Sequence, residues 1–120
     1  MNIEELREYC ISVKGATEGF PFDEKTLVFK VMGKMFAYVG LEPKDGIFKV
    51  NMKCNEEKSA ALREKYQGVE RCIHTTSLTW NVVCLGSDVP DDLIKGLISH
   101  SVDEVIKGLS KKKQEEYRSM

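Results

Sequence analysis

The sequence predicts an α+β fold: a two-layer sandwich in which an antiparallel five-stranded sheet carries helices on one face. Three observations predict it. Apolar residues recur at helical spacing in some segments and alternate with polar residues in others. The elements so defined run helix, three strands, helix, two strands, helix. Consecutive strands are joined by short turns, and only antiparallel neighbours can be joined so directly.

The first helix is expected over Ile3 to Val13, because Ile3, Leu6, Cys10 and Val13 return on one side. Asn2 caps it, Glu5 completes a box-like cap, and Gly15 ends it. Gly19-Phe20-Pro21-Phe22 reads as a rigid turn, since Pro21 fixes its own backbone and holds Phe20 extended. Both phenylalanines are expected to fill apolar gaps near the start of the sheet. Thr26 to Met32 and Met35 to Gly40 form a hairpin around Gly33-Lys34, where glycine in the first turn position favours type II′. That turn sets Met32 opposite Met35, Val31 opposite Phe36 and Phe29 opposite Tyr38. The expected core face is then Leu27, Phe29, Val31, Phe36 and Tyr38. The other face collects Val28, Lys30, Met32, Met35, Ala37 and Val39.

Glu42 to Gly46 is a turn-rich loop. In the third strand, Ile47 to Lys53, Phe48, Val50 and Met52 point one way and Lys49, Asn51 and Lys53 the other. Asn55 caps a second helix over Glu56 to Tyr66, with Ala60 or Ala61, Leu62 and Tyr66 inside; Gly68 ends it. Strands over Glu70 to Thr75 and Thr79 to Leu85 follow. Ser87 or Asp88, with Pro90, opens the last helical region. Leu93, Leu97, Val102, Val105, Ile106 and Leu109 run along its buried side. The polar tail from Lys111 is expected to fray.

Composition narrows the function classes. A chain of 120 residues fits one domain, residues 1–120. No apolar run approaches the roughly 18 residues that cross a bilayer. The start, MNIEELREYC, is acidic and amphipathic, unlike a signal peptide. A cytoplasmic location without a membrane partner is the expectation. Net charge is −1 and the pI ≈ 6.1, which excludes a strongly basic nucleic-acid domain, whose pI usually exceeds about 9. Cys10, Cys54, Cys72 and Cys84 form no CxxC pair and read as reduced, partly buried thiols.

GFPF, the hairpin LVFKVMGKMFAYV, His74 with the downstream Thr79-Trp80, VPDDL and the Ser101 region follow one another in an order that resembles the YjbR/MmcQ family. The resemblance spans nearly the whole chain. It implies an α+β sandwich similar to type III secretion chaperones, in agreement with the element order. It also implies DNA binding through a double-wing arrangement of hairpins. It brings no catalytic motif.

Lys30, Lys49 and Lys53 project from the mixed sheet face, Lys34 sits at the hairpin tip and Lys44 in the next loop. With Arg71 and His74 they form the expected nucleic-acid-binding set, tracking the phosphates of double-stranded DNA. That binding is expected to be weak, because arginine is the commonest reader of guanine edges and only Arg71 lies near. The plainer account of these lysines is that they keep an exposed sheet face from aggregating. Val28, Met32, Met35, Ala37 and Val39 share that face and support the alternative: a chaperone-like or dimeric protein-interaction module. An enzyme ranks third. Cys72 and His74 alternate on one strand with Cys84 on its neighbour, but four zinc ligands in recognisable pairs are lacking. The chain has no GxSxG elbow, HExxH helix or phosphate-binding glycine loop. No catalytic residue, metal ligand or cofactor is assigned.

Overall fold

The computed structural model describes residues 1–72 and 79–120. Among the described residues the elements are α1 (Ile3–Ser12), β1 (Thr17–Gly19), β2 (Thr26–Val31), β3 (Lys34–Gly40), β4 (Lys49–Lys53), α2 (Glu56–Lys65), β5 (Val69–Arg71), β6 (Trp80–Cys84), α3 (Asp91–Lys107) and α4 (Lys111–Arg118). The strands form one antiparallel sheet in the order β1-β2-β3-β4-β6-β5. The core gathers Leu6 and Cys10 of α1, Ile94, Leu97, Ile98, Val102 and Val105 of α3, and one face of the sheet. The two-layer α+β arrangement therefore stands, with one strand and one helix more than the sequence predicts.

Both additions lack an apolar pattern. β1 is Thr17-Glu18-Gly19, held by pairing with Lys30 to Val28 and by a fork from Arg7. The Arg7 guanidinium donates to the Glu18 carboxylate at 2.6 Å from Nη2 and 2.9 Å from Nε. α4 is polar along its length apart from Tyr117. Ser110 caps it, and the Tyr117 hydroxyl donates to the Lys14 carbonyl at 2.8 Å. One docked aromatic thus orders a segment whose composition predicts fraying.

The first hairpin departs from the predicted register. Its turn residues are Met32 and Gly33, with φ of 50° and 76°. Two positive values mark a type I′ turn rather than type II′. Val31 then faces Lys34 and Lys30 faces Met35, but Phe29 faces Ala37, so Phe36 is an extra residue. This bulge puts Phe36 and Ala37 on the same side and reverses the alternation beyond them. Ala37 and Val39 consequently lie in the core, fully buried, not on the mixed face predicted for them. Tyr38 moves the other way, opposite Val28, to the face turned from the helices. Phe29 and Phe36 remain core residues, with ring centroids 6.2 Å apart.

The bulge leaves a gap that α3 fills. β3 and β4 pair at Val39↔Val50, Tyr38↔Asn51 and Ala37↔Met52, so Phe36 and Lys53 come next. There the ladder is bridged by a side chain. The Lys53 N–H donates to Ser101 Oγ at 2.8 Å, and that hydroxyl donates to the Phe36 carbonyl at 2.6 Å. Ser101 is fully buried. Every backbone group freed inside a core needs such a partner.

α2 attaches through Leu62 and, just beyond its end, Tyr66, which pack against the core as predicted, and through polar contacts. The small residue it buries is Ser59, whereas Ala60 and Ala61 are exposed. Buried Asn81 of β6 donates to Ser59 Oγ at 2.6 Å and accepts from Arg63 at 2.5 Å. The turn after α2 is closed by Asp88, whose carboxylate accepts from the Gln67 and Gly68 N–H groups, each at 2.8 Å. Gly68 lies so close to Ser87 that a Cβ would collide with its side chain. α1 has the predicted capping box between Asn2 and Glu5, and Asn55 caps α2. Among the described residues no helix is long and apolar enough to cross a membrane.

Candidate functional site

Alternation in β4 sets the face turned from the helices, as predicted: Val50 and Met52 enter the core, and Lys49, Asn51 and Lys53 point away. Register places Val28, Tyr38, Val82, Cys84 and Trp80 beside them. The middle of this face is not free. Val28 is 1%, Asn51 6% and Val82 7% exposed, so the lysines lie at its margins. A polar chain crosses it. The Tyr38 hydroxyl lies 3.3 Å from Cys72 Sγ, which donates to Asn51 Oδ1 at 3.3 Å. Burial, then the Cys72 contact, raises the Tyr38 pKa above its ordinary value. Burial also pushes the Cys10 thiol up to about 12 and raises Cys54 and Cys84, so these three stay protonated at neutral pH.

The predicted lysines separate into two groups. Lys49 donates to Glu70 at 3.3 Å. Lys44 closes a tight turn with Ile47 around Asp45-Gly46. Both lie at the end of the sheet away from the β2–β3 tip. At the tip end, Lys30 faces Met35, Lys34 opens β3, and Lys53 ends β4 opposite Trp80. Among the described residues none of these three has a carboxylate partner. Arg71 faces Asn81 across β5 and β6, which puts it on the helix side, apart from the lysines. His74 lies outside the described residues.

Lys34, Met35, Lys53 and Trp80 line a groove of ≈ 300 Å³ at the tip end. Its far wall is the end of α3, from Val105 to Leu109. Among the described residues no carboxylate lines it. Trp80 is half-buried, and its ring centroid is 5.8 Å from that of Tyr38. The carbonyls of Lys107 and Leu109 at that helix end already accept from Gln114 Nε2, at 3.3 and 2.9 Å.

The expected protein-contact set is dispersed. Val28 is buried at the base of a second groove of ≈ 340 Å³, bordered by Gly19 to Pro21 and Lys30. Met32 is in the turn and Met35 in the first groove. Ala37 and Val39 belong to the core. Phe20 and Phe22, expected to fill apolar gaps, are instead 50% and 66% exposed. Their polar neighbours Asp23, Glu24 and Lys25 were the available signal of a surface loop. Trp80 was legible only as a motif residue, because its place beside Lys53 depends on β4 pairing with β6.

The suggested Cys72, His74 and Cys84 cluster does not gather among the described residues. The Cys72 N–H bonds the Trp80 carbonyl, whereas Cys84 faces Lys49. Four residues of strand separate those positions, roughly 13 Å, too far for a shared ion. No group of three or more candidate ligands occurs among the described residues. His100 instead accepts from the Asn55 N–H at 3.4 Å, joining α3 to the start of α2.

Comparison with known proteins places these features in a family. The YjbR family model matches residues 11–103. Uncharacterized protein YjbR of Escherichia coli K12 is 28% identical over 114 residues, covering 95% of each chain. The crystal structure of Deinococcus radiodurans protein DR2400 superposes with a TM-score of 0.86 at 30% identity, covering 97% of this chain and 87% of that one. A crystal structure from Pseudomonas syringae shares the fold, with a TM-score of 0.71 at 20% identity over 84% of this chain and 96% of that one. The chain described here belongs to the YjbR family.

Proposed function

We propose that this protein is a DNA-binding module that contacts phosphates with the tip end of its sheet. One observation carries the reading: Lys34 and Lys53 share a groove with Trp80, and no carboxylate lines it among the described residues. Lysines that lack an acidic neighbour are free to release counterions from a phosphate chain. Lys30, opposite Met35, extends the same edge. Lys49 contributes less, because Glu70 already balances it. Lys44 lies at the other end of the sheet, and Arg71, though level with the tip end, lies on the helix side and two strands from Lys53.

The test is fluorescence anisotropy of labelled DNA, duplex and single-stranded, at about 50 mM salt. Binding is expected, and the double substitution Lys34→Glu with Lys53→Glu is expected to abolish it. Absence of binding by the unaltered protein, or binding that ignores the double substitution, overturns the proposal.

A second reading, a protein contact, rests on Phe20 and Phe22, which hold two aromatic side chains in solvent beside the edge strand β1. Exposed aromatic clusters mark interaction surfaces more often than isolated apolar residues do. If the partner is a second copy, sedimentation velocity will show a dimer that Phe20→Ser with Phe22→Ser dissociates. A monomer at all concentrations removes the homodimer.

A further inference from the structure

We infer that the groove at the tip end receives one unpaired nucleobase, so that the protein prefers single-stranded over duplex DNA. This rests on the DNA-binding reading above and deepens it. The groove combines two chemistries that a nucleotide combines. Trp80, Met35 and Leu109, all with large apolar side chains, are among its lining residues. Lys34 and Lys53 supply positive charge at the rim. Aromatic platforms flanked by lysines hold single strands because every base has a π-face and every phosphate a charge.

Size and accessibility decide between the two forms of DNA. A volume of ≈ 300 Å³ stands at the lower end for small-ligand pockets and admits a base, not a helix. A base within a duplex is stacked on both faces and cannot meet an indole unless it leaves the stack, which costs a few kcal/mol. An unpaired base avoids that cost. Gln114 occupies the Lys107 and Leu109 carbonyls, so these oxygens do not face an incoming phosphate unpaired.

The chain has one tryptophan, and it lines this groove, so its fluorescence reports on a guest there. Titration with a thymidine dodecamer is expected to quench that fluorescence with the same midpoint as anisotropy of the labelled oligonucleotide. A duplex of equal length is expected to compete at least about tenfold less well, given the unstacking it requires. Trp80→Leu is expected to weaken single-strand binding by about tenfold or more in a variant that still melts cooperatively, at a lower temperature because the contact with Tyr38 is lost. Should that variant fail to fold, the quenching of the unaltered protein still decides. Binding of the dodecamer with unmoved fluorescence, or equal competition by duplex, overturns this inference while leaving the DNA-binding reading in place. Absence of binding by either form overturns both.

Discussion

Ser101 does the work of a backbone group. Its hydroxyl takes the N–H of Lys53 and serves the carbonyl of Phe36, both at a point where two strands would otherwise meet directly. Ser101→Ala leaves both unsatisfied in the core. A destabilisation of about 1–3 kcal/mol is expected, read as a lower urea midpoint at unchanged slope. Asp88 is the second residue whose chemistry is clear. The Gln67 and Gly68 N–H groups hold its carboxyl below the ordinary value. Its pKa is lower folded than unfolded, so its stabilisation is present above about pH 4 and lost as pH falls through the lowered value. Asp88→Asn is expected to lower the urea midpoint at pH 7 and to flatten its decline on acidification. A decline as steep as that of the unaltered protein would assign the acid sensitivity elsewhere. Neither role was legible in the sequence: both depend on a partner distant along the chain, although Ser101 and the VPDDL segment after Asp88 are prominent as residues.

At the scale of elements, periodicity located the long helices and the third strand to within a residue or two. Asn2 and Asn55 marked two helix starts because capping chemistry is local. The first hairpin was legible as a hairpin but not in register. Gly33 invited a glycine-first turn, whereas the chain places Met32 in the left-handed region before it. A bulge at Phe36 then reversed the faces of Tyr38 and Val39. No local pattern announces an inserted residue, because each side of the bulge alternates normally. The turn supplies a prediction. A left-handed conformation costs most residues about 1–2 kcal/mol, and asparagine tolerates it. Met32→Asn creates the Asn-Gly pair that type I′ turns favour. It should raise stability by about 0.5–1 kcal/mol, a few degrees in melting temperature. An unchanged or lower melting temperature would show that the half-buried Met32 side chain contributes more through packing than its backbone strain removes.

For the whole molecule, charge balance limits what the groove can achieve. Net charge is −1, so no long-range field draws the protein to DNA. Two lysines in the groove correspond to a salt slope of about −1.4 for single strands or −1.8 for duplex. Raising salt from about 50 to 200 mM should then weaken binding about seven- to twelvefold, measured by anisotropy. A much steeper decline would implicate further lysines, Lys30 first. The sandwich itself was legible because each run of strands had only short connections. The groove was not: it forms where the ends of β3, β4, β6 and α3 meet, and their relative placement depends on strand order and on Ser101.

That serine has one more effect. A helix on a sheet is held by interdigitated apolar side chains, which resist sliding but carry no directional bond. In α3 a directional tie is added, since movement along its axis would pull Ser101 from two backbone partners on adjacent strands at once. That tie opposes changes in the distance between its last turn and the hairpin tip. Whatever enters between Lys53 and Leu109 therefore meets two walls tied to each other through Ser101, an arrangement that favours guests of one thickness.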